Sequence, residues 1–195
     1  MEHKKIAFIG AGNMAGAIIN GLLSSGFAAN RLMVCDLDET KLAEFANQGC
    51  QTTSDASELM AQADAVLLAV KPQVLKAVIS PLADIAQTKQ PLILSVVAAI
   101  SEQSINQWLG GNLAIVRTMP NTPASIGKGM TGLFADARVS DEQKKAASAL
   151  LGAVGQTAWL DSEKMIDAVT AVSGSGPAYV FHLVEAMQAA GMSLG

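Results

Sequence analysis

The chain has 195 residues, half of them hydrophobic and only 15% charged, and its 13 basic and 17 acidic side chains give a formal net charge of −4. This composition describes a globular protein with a full core and excludes a disordered chain; with no basic cluster beyond Lys4-Lys5 and Lys144-Lys145, it points away from nucleic acid. Two isolated cysteines, no visible secretory signal and no apolar run of the ~18 residues that a membrane span needs lead to the expectation of a soluble cytoplasmic protein that touches no membrane.

Strand-like and helix-like runs alternate through the first four fifths of the sequence. A short apolar run closes at Ile9 and passes directly into Gly10-Ala11-Gly12-Asn13-Met14-Ala15, followed by a helix over 14–25. This is the G-x-G-x-x-A junction of dinucleotide sites. Gly10 permits the tight turn, Gly12 admits a pyrophosphate close to the backbone, and Ala15 lets the helix pack closely on its strand. Strands are expected at 31–35, 51–53, 65–70, 92–96 and 113–117, with helices over 39–47, after Ser54-Asp55, over 73–86 and after Ser101. Asp55 with Glu58, and Ser140 with Gln143, read as capping boxes. A further strand over 130–135, the helix opened by Ser140 and a strand over 156–160 complete an α/β array. Its strands are continuously apolar, as parallel strands covered on both faces are. From Glu163 only helical character remains: 164–172, a break at Ser173-Gly174-Ser175-Gly176-Pro177, and a helix from 178 to the end. The boundary is placed near Asp161, giving a dinucleotide-binding domain over 1–161 and a helical segment over 162–195.

In a doubly wound, mainly parallel sheet of the Rossmann type, ligands sit at the carboxyl ends of the strands. Asp36 ends the second strand, where a carboxylate accepts hydrogen bonds from the adenosine ribose and repels a 2′-phosphate, which leans toward NADH. It reads equally as a helix N-cap, a role that Asp38 could also fill. Lys71, fixed by Pro72 at the end of the fourth strand, projects over a cofactor cleft or stands as a solvated surface lysine. Met119-Pro120-Asn121-Thr122-Pro123 is either a rigid wall offering amide and hydroxyl groups beside the nicotinamide or a plain proline-rich turn. Ser173 to Pro177 reads as a glycine-hinged helix start whose free N–H groups suit a carboxylate, or as a helix start alone. His3 and His182 are treated as non-catalytic, so neither a histidine-centred triad nor a metal site is expected.

Gly10-Ala11-Gly12-Asn13-Met14, Ala69-Val70-Lys71-Pro72-Gln73, Val116-Arg117-Thr118-Met119-Pro120-Asn121-Thr122-Pro123 and Val172-Ser173-Gly174-Ser175-Gly176-Pro177-Ala178-Tyr179 resemble, in order and spacing, the signature segments of pyrroline-5-carboxylate reductase. The resemblance implies a Rossmann domain followed by a helical dimerisation segment, and reduction of 1-pyrroline-5-carboxylate to L-proline by NADPH or NADH in a homodimer or higher homo-oligomer. It implies cofactor contacts along Ile9, Ala11, Asn13, Met14, Ala69, Val70, Lys71, Pro72, Ala98, Met119 and Pro120, besides Gly10, Gly12 and Asp36. The substrate side falls to Asn121, Thr122, Glu163, Ser173, Ser175 and Gly176.

Three departures from the family pattern stand out. Asp36 replaces a small polar residue, Ala99 replaces a strand-end glycine, and a later Ser-Pro-Gly-Gly-Thr-type segment is not present, so a shortened chain is expected. The apolar residues spread around the helix over 178–194 demand a partner surface. The alternatives are a related imine or hydroxyacid dehydrogenase, or a catalytically inactive nucleotide-binding dimer module. Against the former, Lys164 is the only lysine past the boundary and lacks Lys-x-x-Asn spacing.

Overall fold

A computed structural model describes residues 4–195, so His3 lies outside the described residues. Eight strands form one sheet in the order β3-β2-β1-β4-β5-β6-β7-β8. The first six, β1 (Ile6–Ile9), β2 (Leu32–Cys35), β3 (Gln51–Thr53), β4 (Ala65–Leu68), β5 (Leu92–Ser95) and β6 (Ile115–Met119), are all parallel to one another. β7 (Gly129–Ala135) returns antiparallel to β6 after a tight 3-10 turn, Thr122–Ile126, too short for a crossover; β8 (Gly155–Trp159) adds parallel to β7.

Side chains alternate across the pleat, so each strand feeds two cores. Ile6 and Phe8 join one cluster with α1 (Asn13–Ser24), α2 (Glu39–Asn47) and α7 (Asp141–Gly152). Ala7 and Ile9 join the other, with α3 (Ala56–Gln62), α4 (Pro72–Ile79), α5 (Ala83–Lys89) and α6 (Glu102–Trp108). Ile6, Ala7 and Phe8 are 0% exposed, which is why the strands read as unbroken apolar runs.

Several local expectations change. The helix over 73–86 is divided by a 3-10 turn, Ser80–Leu82, because Pro81 cannot donate to the helical ladder. β4 stops at Leu68, leaving Ala69 and Val70 to the loop beyond it. β6 begins at Ile115 because Gly110, Gly111 and Asn112 take positive φ in the preceding turn. Ser140 and Gln143 close a reciprocal capping box, whereas Asp55 accepts from the Ser57 N–H alone and Glu58 instead accepts the Thr53 hydroxyl.

The expected break at 173–177 is not a break. α8 (Met165–Val169) runs through a π-helical turn, Thr170–Gly174, into α9 (Gly176–Leu194). α8 still rests on the sheet, with Ile166 buried and Val169 over Gly132, whereas α9 has no buried residue. No helix among the described residues is long and apolar enough to cross a membrane.

Candidate functional site

The carboxyl rim of β1 shows how the glycine motif divides its labour. Gly10 has φ +102°, its N–H donates to Cys35 O at 2.8 Å, and a Cβ there would lie 2.6 Å from Ala69 O. Only glycine passes under the end of β4 in this conformation. Gly12 is different: its backbone is extended, a Cβ would meet nothing nearer than Ala69 O at 3.9 Å, and the protein itself has no need of glycine there. Gly12 is the N-cap of α1, with no side-chain cap and no acidic residue in the first turn. The opening N–H groups of a twelve-residue helix, at Asn13, Met14 and Ala15, are thus left to an anion.

This rim opens into a cleft of about 530 Å³ between the ends of β1, β2 and β4. Ile9, Gly10, Gly12, Asp36, Ala69, Val70 and Lys71 line it, as the sequence placed them. Leu37, Lys41, Ser54, Ala56, Val74 and Val78 line it too, and these were not singled out. They lie on loops and first helical turns beyond the strand ends, with Val78 one turn further along α4, where a strand-end reading stops short. Lys71 is exposed at the N-cap of α4, and Pro72 takes the first helical position.

Asp36 is not the helix cap; Asp38 is, accepting from the N–H groups of Thr40 and Lys41. Asp36 instead bridges two loops, accepting the Ala11 N–H at 2.7 Å on Oδ2 and the Asp38 N–H at 3.0 Å on Oδ1. Burial raises its pKa, but these N–H donors, with the charge of Lys41, outweigh burial and leave it below the usual carboxylate value. Cys35 beneath it is pushed up to about 11 by burial and by the charges of Asp36 and Asp55, which keeps it a neutral thiol.

On the other half of the rim, Ala98 and Ala99 stand exposed after β5, and Ala99 has φ +62°, the left-handed turn that a glycine would favour. Thr118 donates its hydroxyl to Ser95 O at 3.0 Å, which fixes β6 to β5. Beyond Met119 and the buried Pro120, Asn121 is the junction of the site. Its Oδ1 accepts the Met130 N–H at 2.9 Å, while its Nδ2 donates to Ser173 O at 3.2 Å and Ser173 Oγ at 3.3 Å. The Met119 side chain crowds the space over Gly174, where a Cβ would lie 2.8 Å from its Cε. Two segments 52 positions apart in the chain therefore meet, with Thr122 exposed beside them.

The Ser175 N–H is not free for a carboxylate: it donates to Thr170 O at 2.8 Å inside the π turn, and Ser175 makes no side-chain cap. Gly176 and Pro177 follow as the first residues of α9.

Glu163 is held from behind. Its Oε1 accepts the Glu102 N–H at 2.6 Å and Arg117 Nη1 at 3.1 Å. Glu102 is buried and bonded to Arg138 at 2.8 Å and to Asn106 at 3.1 Å; burial raises its pKa even against the Arg138 charge. Arg138 also pairs with Asp136. None of Arg117, Glu102 or Arg138 was anticipated, although an arginine inside an apolar strand run was a readable signal.

At the opposite rim a second hollow of about 400 Å³ lies between Lys4, Asp64, Lys89 and the start of α7. There the helix's own capping box already occupies Ser140 and Gln143, so nothing comparable to the uncapped start of α1 is offered. Among the described residues no group of three or more His, Cys, Asp or Glu side chains is placed to hold a metal ion.

Residues 5–99 match a family model described as NADP oxidoreductase, coenzyme F420-dependent, and residues 163–195 match one described as pyrroline-5-carboxylate reductase dimerisation. The chain is 48% identical to the pyrroline-5-carboxylate reductase of Haemophilus influenzae over 190 residues, covering 97% of this chain and 70% of the relative. Among solved structures it is similar to a pyrroline-5-carboxylate reductase from Coxiella burnetii, with a TM-score of 0.92, 42% identity and coverage of 98% of this chain and 72% of the other. It is also similar to the Plasmodium falciparum pyrroline carboxylate reductase solved with NADP bound, at TM-score 0.89 and 26% identity, over 100% of this chain and 71% of that one. On the strength of these likenesses and of a fold that agrees with them, the chain belongs to the pyrroline-5-carboxylate reductase family.

Proposed function

We infer that this chain reduces 1-pyrroline-5-carboxylate to L-proline with a hydride from NADH or NADPH. Asn121 carries the reading: its amide joins the turn after β6 to the π turn before α9, which gathers Thr122, Ser173, Ser175 and Gly176 beside the second half of the cofactor rim. The uncapped start of α1, the bare backbone at Gly12 and the 530 Å³ cleft fit a dinucleotide, its diphosphate on the helix and its adenosine toward Asp36. When bound, the dihydronicotinamide supplies the hydride. The protonated substrate imine accepts it at carbon while the C=N π pair moves to nitrogen and neutralises the cation. No oxyanion develops, so the chain needs no strong acid at that point. Its work is to align the reactants and exclude water. Asn121 and Thr122 orient the ring, and Ser173, Ser175 and Gly176 bound the substrate side.

Asp36, held ionised, leans toward NADH by repelling a 2′-phosphate. Lys41 lines the same end of the cleft and pairs with Asp38 at 3.5 Å, and it is the cation that makes NADPH usable. The division at Asp161 separates the part of the chain that holds the cofactor from the part that pairs. The exposed apolar surface of α9, in the region that matches the dimerisation model, suits a homodimer. With both cysteines buried and unpaired and no large basic cluster, the chain works on a small molecule in a reducing cytoplasm and not on nucleic acid.

Following absorbance at 340 nm with each nucleotide tests the reading. Oxidation that requires 1-pyrroline-5-carboxylate and yields proline is expected. Tight nucleotide binding with turnover of a hydroxyacid instead would overturn it.

A further inference from the structure

We propose that Arg117 is a positioning residue that acts through Glu163 to hold the loop after β5 against the nicotinamide end of the cleft; this rests on the function inferred above. Arg117 lies on the face of β6 that also carries Ile115, its side chain is 9% exposed, and its Nε is buried without a hydrogen-bond partner. A buried ion pair with an orphaned donor is a poor way to stabilise a strand, since an apolar residue of similar size serves at least as well. Its use lies in what the pair holds. Glu163 Oε1 receives Arg117 Nη1 and, at 2.6 Å, the N–H of Glu102, the first residue of α6. The Ser101 side chain caps α6 at the Ser104 N–H and meets the Ser104 hydroxyl at 2.8 Å, which leaves the Glu102 N–H for Glu163 to satisfy from another element.

The loop over 96–100 is thereby tied at both ends. At its start Val96 donates to Leu68 O at 3.1 Å and Val97 to Ser95 Oγ at 3.3 Å; at its end stands the Glu163 bond. Between them Ala98 and the left-handed Ala99 project, exposed, at the rim of β5, in the half of the sheet where a dinucleotide whose adenosine lies over β2 places its nicotinamide. Backbone in that conformation persists only where the surroundings enforce it. Arg117 supplies the charge that keeps Glu163 in place, because the buried Glu102 carboxylate repels Glu163 and is itself directed to Arg138.

Paired titrations with NADH and with ADP-ribose, which lacks the nicotinamide, test the proposal on the intact chain. Arg117→Met is expected to weaken NADH binding ~10-fold and leave ADP-ribose within ~2-fold. Glu163→Ala, at a half-buried site, gives the same split. Glu163→Gln, which keeps the acceptor oxygen, restores NADH binding to within ~3-fold, and the double variant Arg117→Met/Glu163→Ala is no worse than either single one. Equal losses for both ligands, or no loss in Glu163→Ala, overturn the proposal. Failure of the unaltered chain to bind either ligand overturns the functional reading instead.

Discussion

α1 and α9 are both long and largely apolar, yet they end in opposite situations. α1 buries Ala15, Ile18, Ile19 and Leu22 against the sheet, and its glycine at position 21 sits hard against the turn before β8. α9 buries nothing: Tyr179, Phe181, Leu183 and Met187 are each about 60% exposed or more, and nothing lies within 4 Å of a Cβ at Gly191. One helix completes a core within the chain, and the other presents an apolar face that none of the described residues covers. The proposed site lies where the sheet meets the segment leading into α9, at Asn121 with Ser173 and at Glu163 with Arg117.

That contrast can be broken most severely at the root of α1. Gly10→Ala puts a Cβ 2.6 Å from the Ala69 carbonyl oxygen at φ +102°, and a loss of about 3 kcal/mol or more in chemical denaturation is expected. Gly21→Ala comes next. Alanine is the better helix former, but its Cβ would stand 2.5 Å from Val154 Cγ1 and 2.8 Å from Ala153 O, so a net loss of about 2 kcal/mol is expected in the same assay.

Asp36→Ser is milder and changes function more than stability. The ratio of NADPH to NADH affinity should rise ~10-fold in paired titrations. Because the Asp36 pKa is lowered on folding, its contribution is present above its unfolded value and is lost as the pH falls through the folded one. The variant's stability should therefore fall less steeply on the acid side than the unaltered chain's. The smallest effect sharpens the comparison on the open helix: Gly191→Ala should raise thermal stability by about 0.5 kcal/mol, the opposite sign to Gly21→Ala.

Much of the sheet was legible because parallel strands buried on both faces announce themselves as apolar runs, and the lining of the cleft because the residues at its rim follow such runs immediately. Gly10, Gly12, Asp36 and Lys71, which line the cleft, were placed at its rim in that way. Other features depended on partners no local pattern names. Pro81, inside the stretch expected as one helix over 73–86, is the residue that divides it. The π turn could not be told from a break, since Ser173-Gly174-Ser175-Gly176-Pro177 carries every punctuation mark of a helix start while the Ser175 N–H reaches back to Thr170. Glu163 and Arg117 lie 46 residues apart, and only the packing of α8 on β6 and β7 reveals why an arginine interrupts an apolar strand.

The central claim is that the start of α1 receives the diphosphate of a pyridine nucleotide, and Gly12→Val tests it most directly. The new Cβ enters extended backbone with no neighbour closer than 3.9 Å, so melting should fall by no more than about 2–4 °C. In calorimetric titration, NADH and NADPH binding should both weaken ~100-fold or more. A variant that melts normally and binds both nucleotides as tightly as the unaltered chain would contradict the account.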